Sequence, residues 1–263
     1  MTSIEQAPSA IETTQGPQRT PARPSAAPSD GPSDGPIGSP SDGPSGSPFG
    51  GFRKRTMTAL EFFASAVSLV PDLGTFYRIW VRHDLDPGFR EELMLAVARQ
   101  NECRYCSWAH LEWAGIAGVA DEDLAKLEQM DPARFDRRKW IAICFVRELV
   151  ETRFGRVPLD LMQEMQASYA DREIREITFV AKVMDMANRG ANTWDAMRAR
   201  WRGKPAADSR ILDEAVLSAA FLLVAPLIVL FLARATKRPF FGMARSLIDY
   251  AKDEAGRPAK QPV

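Results

Sequence analysis

From Thr56 to about residue 200, apolar side chains recur at steps of three and four, in long runs separated by short breaks at Pro, Gly or Asp. That is the helical period, and no strictly alternating run bounded by hairpin turns interrupts it. The pattern predicts an all-α domain. A first helix begins in "TALEFFASAVSL", where Thr58 and Glu61 have capping-box spacing, and Pro71 is expected to end it. A second starts after Asp86-Pro87 and carries Leu93 and Val97 on its apolar side. Further helices are expected at about 103–116, 121–129, 133–153, 158–169 and 171–200, marked by Pro132, Gly155, Pro158 and an Asp171 cap.

The pattern changes at both ends. In residues 1–52 Pro, Ser, Gly and Asp dominate, large apolar residues are scarce before Phe49 and Phe52, and "PSDGP" occurs at 28–32, 32–36 and 40–44. Such a segment cannot bury a core and is expected to be a disordered arm. At the other end, "AVLSAAFLLVAPLIVLFLA", residues 215–233, contains no charge. Nineteen helical residues rise roughly 28 Å, close to the hydrocarbon thickness of a bilayer. The segment therefore has the length of a membrane span, although a helix buried in the domain or in an oligomer interface has the same composition. Pro226 is expected to kink it, and basic residues on both sides (Arg200, Arg202, Lys204; Arg234, Lys237, Arg238) give no orientation. Beyond it "PFFGMARSLIDYAKDE" has an amphipathic period suited to packing on the domain or lying at a membrane surface. The chain thus divides into an arm (1–52), a helical domain (56–203) and an apolar helix with an amphipathic tail (210–263).

Composition narrows the function classes. The 263 residues carry 34 Lys and Arg against 34 Asp and Glu, so no electrostatic footprint for nucleic acid is present. Three cysteines, two of them in one CxxC, do not make a secreted disulfide framework and suit a reducing compartment, which points to the cytoplasm. The first twenty residues lack the basic start and apolar stretch of an export signal.

The chemistry concentrates in "NECRYCSWAH", residues 101–110. On a helix, Cys103, Cys106 and His110 fall at i, i+3 and i+7 and share one face. The preceding helix is expected to end near Gln100, which puts both cysteines in the first turn of the next, where the dipole and free N–H groups favour a thiolate. His110, one turn below Cys106, could accept the thiol proton. Twelve residues before Cys103 stands Glu91, on a stripe with Met94, Leu95 and Ala98, so a turn between the helices could bring its carboxylate to the site. Glu92 is rotated from it by roughly 100° and leans to the flank. A zinc site is the rival use of these ligand types, but structural zinc usually joins two ligand pairs across a long segment, and no second CxxC or HxxxH occurs. A c-type haem needs His directly after the second Cys, where Ser107 stands, and a two-residue loop gives a purely structural disulfide little to restrain.

Glu91, eleven intervening residues, Cys103-x-x-Cys106, three residues and His110 resemble the signature of the AhpD-like alkylhydroperoxidases in the carboxymuconolactone decarboxylase-like superfamily. "LDPGFREELMLAVARQNECRYCSWAH" is similar to that superfamily's usual stretch, and a weaker likeness runs from about residue 56 to 200. The resemblance implies a dithiol peroxidase for alkyl or lipid hydroperoxides. In it Cys106 attacks the O–O bond and becomes a sulfenic acid, and Cys103 resolves it as a disulfide. Glu91 and His110 form the proton relay, Cys103 being also a candidate donor to the leaving alkoxide. No metal or cofactor is called for. The implied partners are a hydroperoxide, a dithiol or protein reductant, and further copies of the chain. Between the cysteines, where the family's best-known member has a second histidine, this chain has Tyr105. The alternative is a redox sensor or membrane-tethered interaction protein that uses the CxxC as a switch without catalysis.

Other residues receive plainer readings. Cys144, in "WIAICFVREL", is expected to be an inert core thiol. His83 is placed at a helix end or in solvent. Asn188 and Asn192, one turn apart, are read as structural hydrogen bonders. Trp108, Trp113, Met184, Met186 and Met197 are read as core, with a peroxide pocket or subunit interface as their other uses.

Overall fold

The computed structural model describes residues 52, 54–129 and 135–256. The arm assigned to 1–52 therefore lies outside the described residues, apart from Phe52. Among the described residues the chain is all-α, as its period predicts, with ten α-helices, one 3-10 turn and no strand. They are α1 (Ala59–Ser68), the 3-10 turn (Val70–Asp72), α2 (Leu73–Trp80), α3 (Pro87–Gln100), α4 (Arg104–Ile116), α5 (Asp121–Gln129), α6 (Arg137–Glu151), α7 (Leu159–Ser168), α8 (Asp171–Trp201), α9 (Ile211–Ala235) and α10 (Phe240–Gly256).

Local signals account for most boundaries. Thr58 and Glu61 form the reciprocal capping box at α1. Asp86 caps α3 by accepting from Phe89 N–H, with Pro87 at the first helical position. Asp136 caps α6 through the N–H groups of Arg138 and Lys139. α1 ends at Ser68, just before Pro71 as expected. Two features differ from expectation. Pro71 also opens the 3-10 turn, which needs no donor from it, and a further helix, α2, continues to Trp80. At α8 the cap is Ala170, and the Glu173 carboxylate reaches back to its N–H.

The core is built on α3, whose residues from Glu91 to Ala98 are all buried, between α4, α6 and α8. Leu93, Leu95, Val97, Ile143, Val146, Phe145, Ile177 and Val180 fill it. A second cluster joins Trp108 and Ala109 of α4 to Val229, Leu232 and Ala233 of α9 and Met243 of α10. The C-terminal helices are thus folded onto the domain. α9 lies along α8, where Glu214 is fully buried against Arg200, and runs on to α4 and α10. Its helix is continuous through Pro226. Two stretches, Ala59–Trp80 and Ile211–Ala235, are long and apolar enough to cross a membrane by length and composition, and most of each is exposed in the folded chain.

Candidate functional site

A tight reversal between α3 and α4 positions the site. The N–H of Asn101 closes onto Val97 O and that of Cys103 onto Ala98 O, while Glu102 takes a left-handed conformation with φ 53°. This places Cys103 at the N-cap of α4, one residue before the helix begins, and Cys106 in its first turn. Cys103 Sγ accepts from the Cys106 N–H at 3.3 Å and is joined to Cys106 Sγ in a disulfide, with 5.4 Å between their Cα atoms. Cys103 is fully buried and Cys106 half-buried.

One helix turn onward, His110 is buried and its Nδ1 lies 2.7 Å from Glu91 Oε2. The other carboxylate oxygen, Oε1, accepts from Arg90 Nε and Nη2 at 3.0 and 2.9 Å. Burial is the largest influence on Glu91 and pushes its carboxyl upward. The His110 hydrogen bond and the charges of His110 and Arg90 together outweigh it and hold the carboxyl below its ordinary value. Glu92, equally buried, faces the other way, to Lys139 Nζ on α6 at 2.9 Å, and burial leaves its carboxyl raised. The structure therefore brings Cys103 to Cys106 and Glu91 to His110. Among the described residues no hydrogen bond joins the imidazole directly to either sulfur.

Tyr105 anchors the opposite side of the helix start. Its hydroxyl donates to Asp195 Oδ1 at 2.7 Å and accepts from Arg198 Nη1 at 2.8 Å. Arg104 bonds the same Asp195 oxygen, Lys54 holds the other at 2.8 Å, and Arg104 Nη1 also reaches Ala251 O on α10 at 2.8 Å. Burial raises Asp195, but Lys54 and Arg104 outweigh it and hold the carboxyl below its ordinary value. Burial, with Asp195 beside it, pushes the Tyr105 phenol up, so it remains a donor at neutral pH. Both residues between the cysteines are thus pinned to α8. Sequence reasoning missed Arg90, Lys54, Asp195 and Arg198. Arg90 adjoins Glu91 and Asp195-x-x-Arg198 has a helical ion-pair spacing, yet nothing in the sequence says that they meet Glu91 and Tyr105.

Aromatic contacts carry the site toward α9. Tyr105 lies 4.9 Å from Phe221, His110 lies 5.1 Å from Trp113, and Trp113 lies 6.5 Å from Phe231, between ring centroids. A cleft of about 500 Å³ opens along α4 between Trp108, Leu111, Glu112, Thr236 and Tyr250, and neither sulfur lines it. Among the described residues, no three His, Cys, Asp or Glu side chains converge as metal ligands.

The other residues singled out from the sequence are distributed as follows. Cys144 is a half-buried free thiol, pushed up by burial. His83 is exposed, in a left-handed conformation after α2. Asn192 donates to Asn101 O at 2.7 Å and Arg55 O at 3.3 Å, whereas Asn188 is fully buried with neither amide atom bonded among the described residues. Met184 is in the main core, and Trp108 and Trp113 belong to the cluster with α9. Compared with known proteins, the sequence matches no family model and no curated relative.

Proposed function

We propose that the protein is a dithiol peroxidase that reduces alkyl or lipid hydroperoxides through Cys103 and Cys106. The observation that carries this reading is the CxxC disulfide at the start of α4 with the buried Glu91–His110 pair one turn below it. In the reduced protein the Cys106 thiolate attacks the outer peroxide oxygen. An S–O bond forms, the O–O bond breaks, and the alkoxide leaves as the alcohol after taking a proton. Cys103 then attacks the Cys106 sulfenic sulfur, water departs, and the disulfide forms. A dithiol reductant returns both thiols. The burial of the two residues supports this division of roles, the half-buried Cys106 meeting substrate and the fully buried Cys103 resolving it.

His110 serves as base for the thiol proton, and Glu91 fixes its orientation from Nδ1, leaving Nε2 for proton transfer. Arg90 in turn fixes Glu91. Tyr105, in the place of a second histidine, is a positioning residue: held by Asp195 and Arg198, it locks the segment between the cysteines.

The test is consumption of tert-butyl hydroperoxide with dithiothreitol as reductant. The wild-type protein turns over; Cys106→Ser abolishes consumption; Cys103→Ser, given peroxide without dithiothreitol, consumes one equivalent and accumulates a sulfenic acid detectable by dimedone and mass spectrometry. A fully active Cys106→Ser protein rejects the reading. A wild-type protein that forms the disulfide with peroxide but does not turn over with any dithiol is a switch, not an enzyme.

A further inference from the structure

We infer that the outer face of α9 lies flat in the surface of an anionic lipid bilayer. Leu212, Val216, Leu223, Leu227 and Phe231 recur at steps of four, seven, four and four residues and form one exposed stripe. From Leu212 to Phe231 it runs about 28 Å at helical rise. Leu223 and Leu227 are 72% and 61% exposed, far more than a monomer in water usually leaves along one continuous apolar line. α1 packs on α9 and exposes Leu60, Phe63 and Val67 as well.

The opposite face of the same helix excludes a transmembrane mode for the folded chain. Glu214 is paired to Arg200, Phe221 stacks on Trp194, and Val229, Leu232 and Ala233 pack on α4 and α10. A spanning α9 would carry Asp195, Arg198 and Arg200 of α8 into hydrocarbon, at a cost of several kcal/mol. Lying in the headgroup region inserts only the exposed stripe. Pro226 fits that depth, because the Leu222 carbonyl it leaves without a helical donor can be met by water there and not in a dry interior.

Charge selects lipid over a second copy of the chain. Arg202, Lys204 and Arg210 precede the stripe, and Arg234 and Lys237 follow it; all five are exposed and make no ion pair among the described residues. Between 202 and 212 the one acidic residue is Asp208. A two-fold pairing of α9 with its copy puts cations against cations whether the helices run parallel or antiparallel. Anionic headgroups complement both ends at once, at about 1 kcal/mol per basic residue near the surface.

The arrangement also bears on substrate, and this step rests on the peroxidase reading. Phe221 and Phe231 of α9 touch Tyr105 and Trp113, the latter packed on His110, so the redox helix lies directly beneath the lipid-facing one. Hydroperoxides of lipid acyl chains are the substrate class this placement favours.

Flotation of the full chain with vesicles of phosphatidylcholine, alone or mixed with phosphatidylglycerol, tests binding without any use of activity. Cofloating with the phosphatidylglycerol vesicles, weakening with salt, is expected, with about a thirtyfold loss for Arg234→Gln/Lys237→Gln and abolition by Leu223→Glu/Leu227→Glu. Both leucines are exposed, and circular dichroism verifies that the variant remains helical. Alkaline carbonate should strip the bound protein. The inference is overturned by wild-type protein that does not float, by carbonate-resistant insertion, or by a dimer in light scattering that Leu223→Glu/Leu227→Glu dissociates. Cys103→Ser/Cys106→Ser should bind vesicles like wild type, so loss of peroxidase activity leaves the binding claim standing. For delivery, Leu223→Glu/Leu227→Glu should keep turnover of tert-butyl hydroperoxide and lose that of phospholipid hydroperoxide in vesicles; equal turnover of both overturns it.

Discussion

At the scale of single residues, the two adjacent glutamates of α3 separate structure from chemistry. Glu91 and Glu92 are equally buried, but one meets an imidazole and an arginine and the other a lysine on the far side. Glu91→Gln is expected to lower peroxide turnover about a hundredfold or more, because His110 loses the charge that orients it. Glu92→Gln should leave turnover unchanged. The Glu91 carboxyl sits lower in the folded chain than in the unfolded one, so at and above neutral pH it adds stability. That contribution fades as pH falls through the ordinary carboxylate range toward the folded value. Urea titrations at pH 7 and pH 4 should show a wild-type advantage over Glu91→Gln that shrinks in acid. A second contrast lies on α8. Asn192→Leu removes a donor from two carbonyls and should cost about 2 kcal/mol, whereas Asn188→Leu, replacing an unbonded amide, should be neutral or stabilising by about 1 kcal/mol in thermal unfolding.

At the scale of elements, the helical period and the capping residues made most of the fold legible. The Thr58–Glu61 box, the Asp86-Pro87 start and the break before Cys103 are all signals that a short window contains. What escaped was what depends on partners. Pro71 reads as a stop, and α1 does end before it, but a 3-10 turn also uses it as a start, and α2 follows. The stripe of Glu91 was visible because residues three and four apart must share a face, but Asp195 and Lys54 reach the site across distances of sequence that no period encodes. The left-handed conformation of Glu102 within the expected turn was also silent, since Glu is an ordinary helix former forced here to φ 53°. Glu102→Gly relieves that conformation, and despite the added freedom of the unfolded chain it should raise the unfolding midpoint by a few degrees, equivalent to about 0.5–1 kcal/mol. Scanning calorimetry on the oxidised protein measures it.

At the scale of the whole molecule, the segment that reads as an appendage is part of the domain. α9 and α10 cover Trp108 and Ala109 on α4, supply Glu214 to Arg200, and offer Ala251 O to Arg104. A chain ending at residue 209 is therefore expected to lose native packing, bind a hydrophobic dye and aggregate; a soluble, cooperatively melting fragment would show instead that the tail is dispensable. Cys103 stands at the N-cap of α4, its sulfur accepting the Cys106 N–H. The atom that forms the disulfide is also the one that closes the end of the helix. Breaking the S–S bond frees the neutral Cys103 thiol to rotate off that N–H, so adding two electrons should loosen the first turn, and the Cys106 amide proton should exchange with deuterium faster in the dithiol form than in the oxidised one.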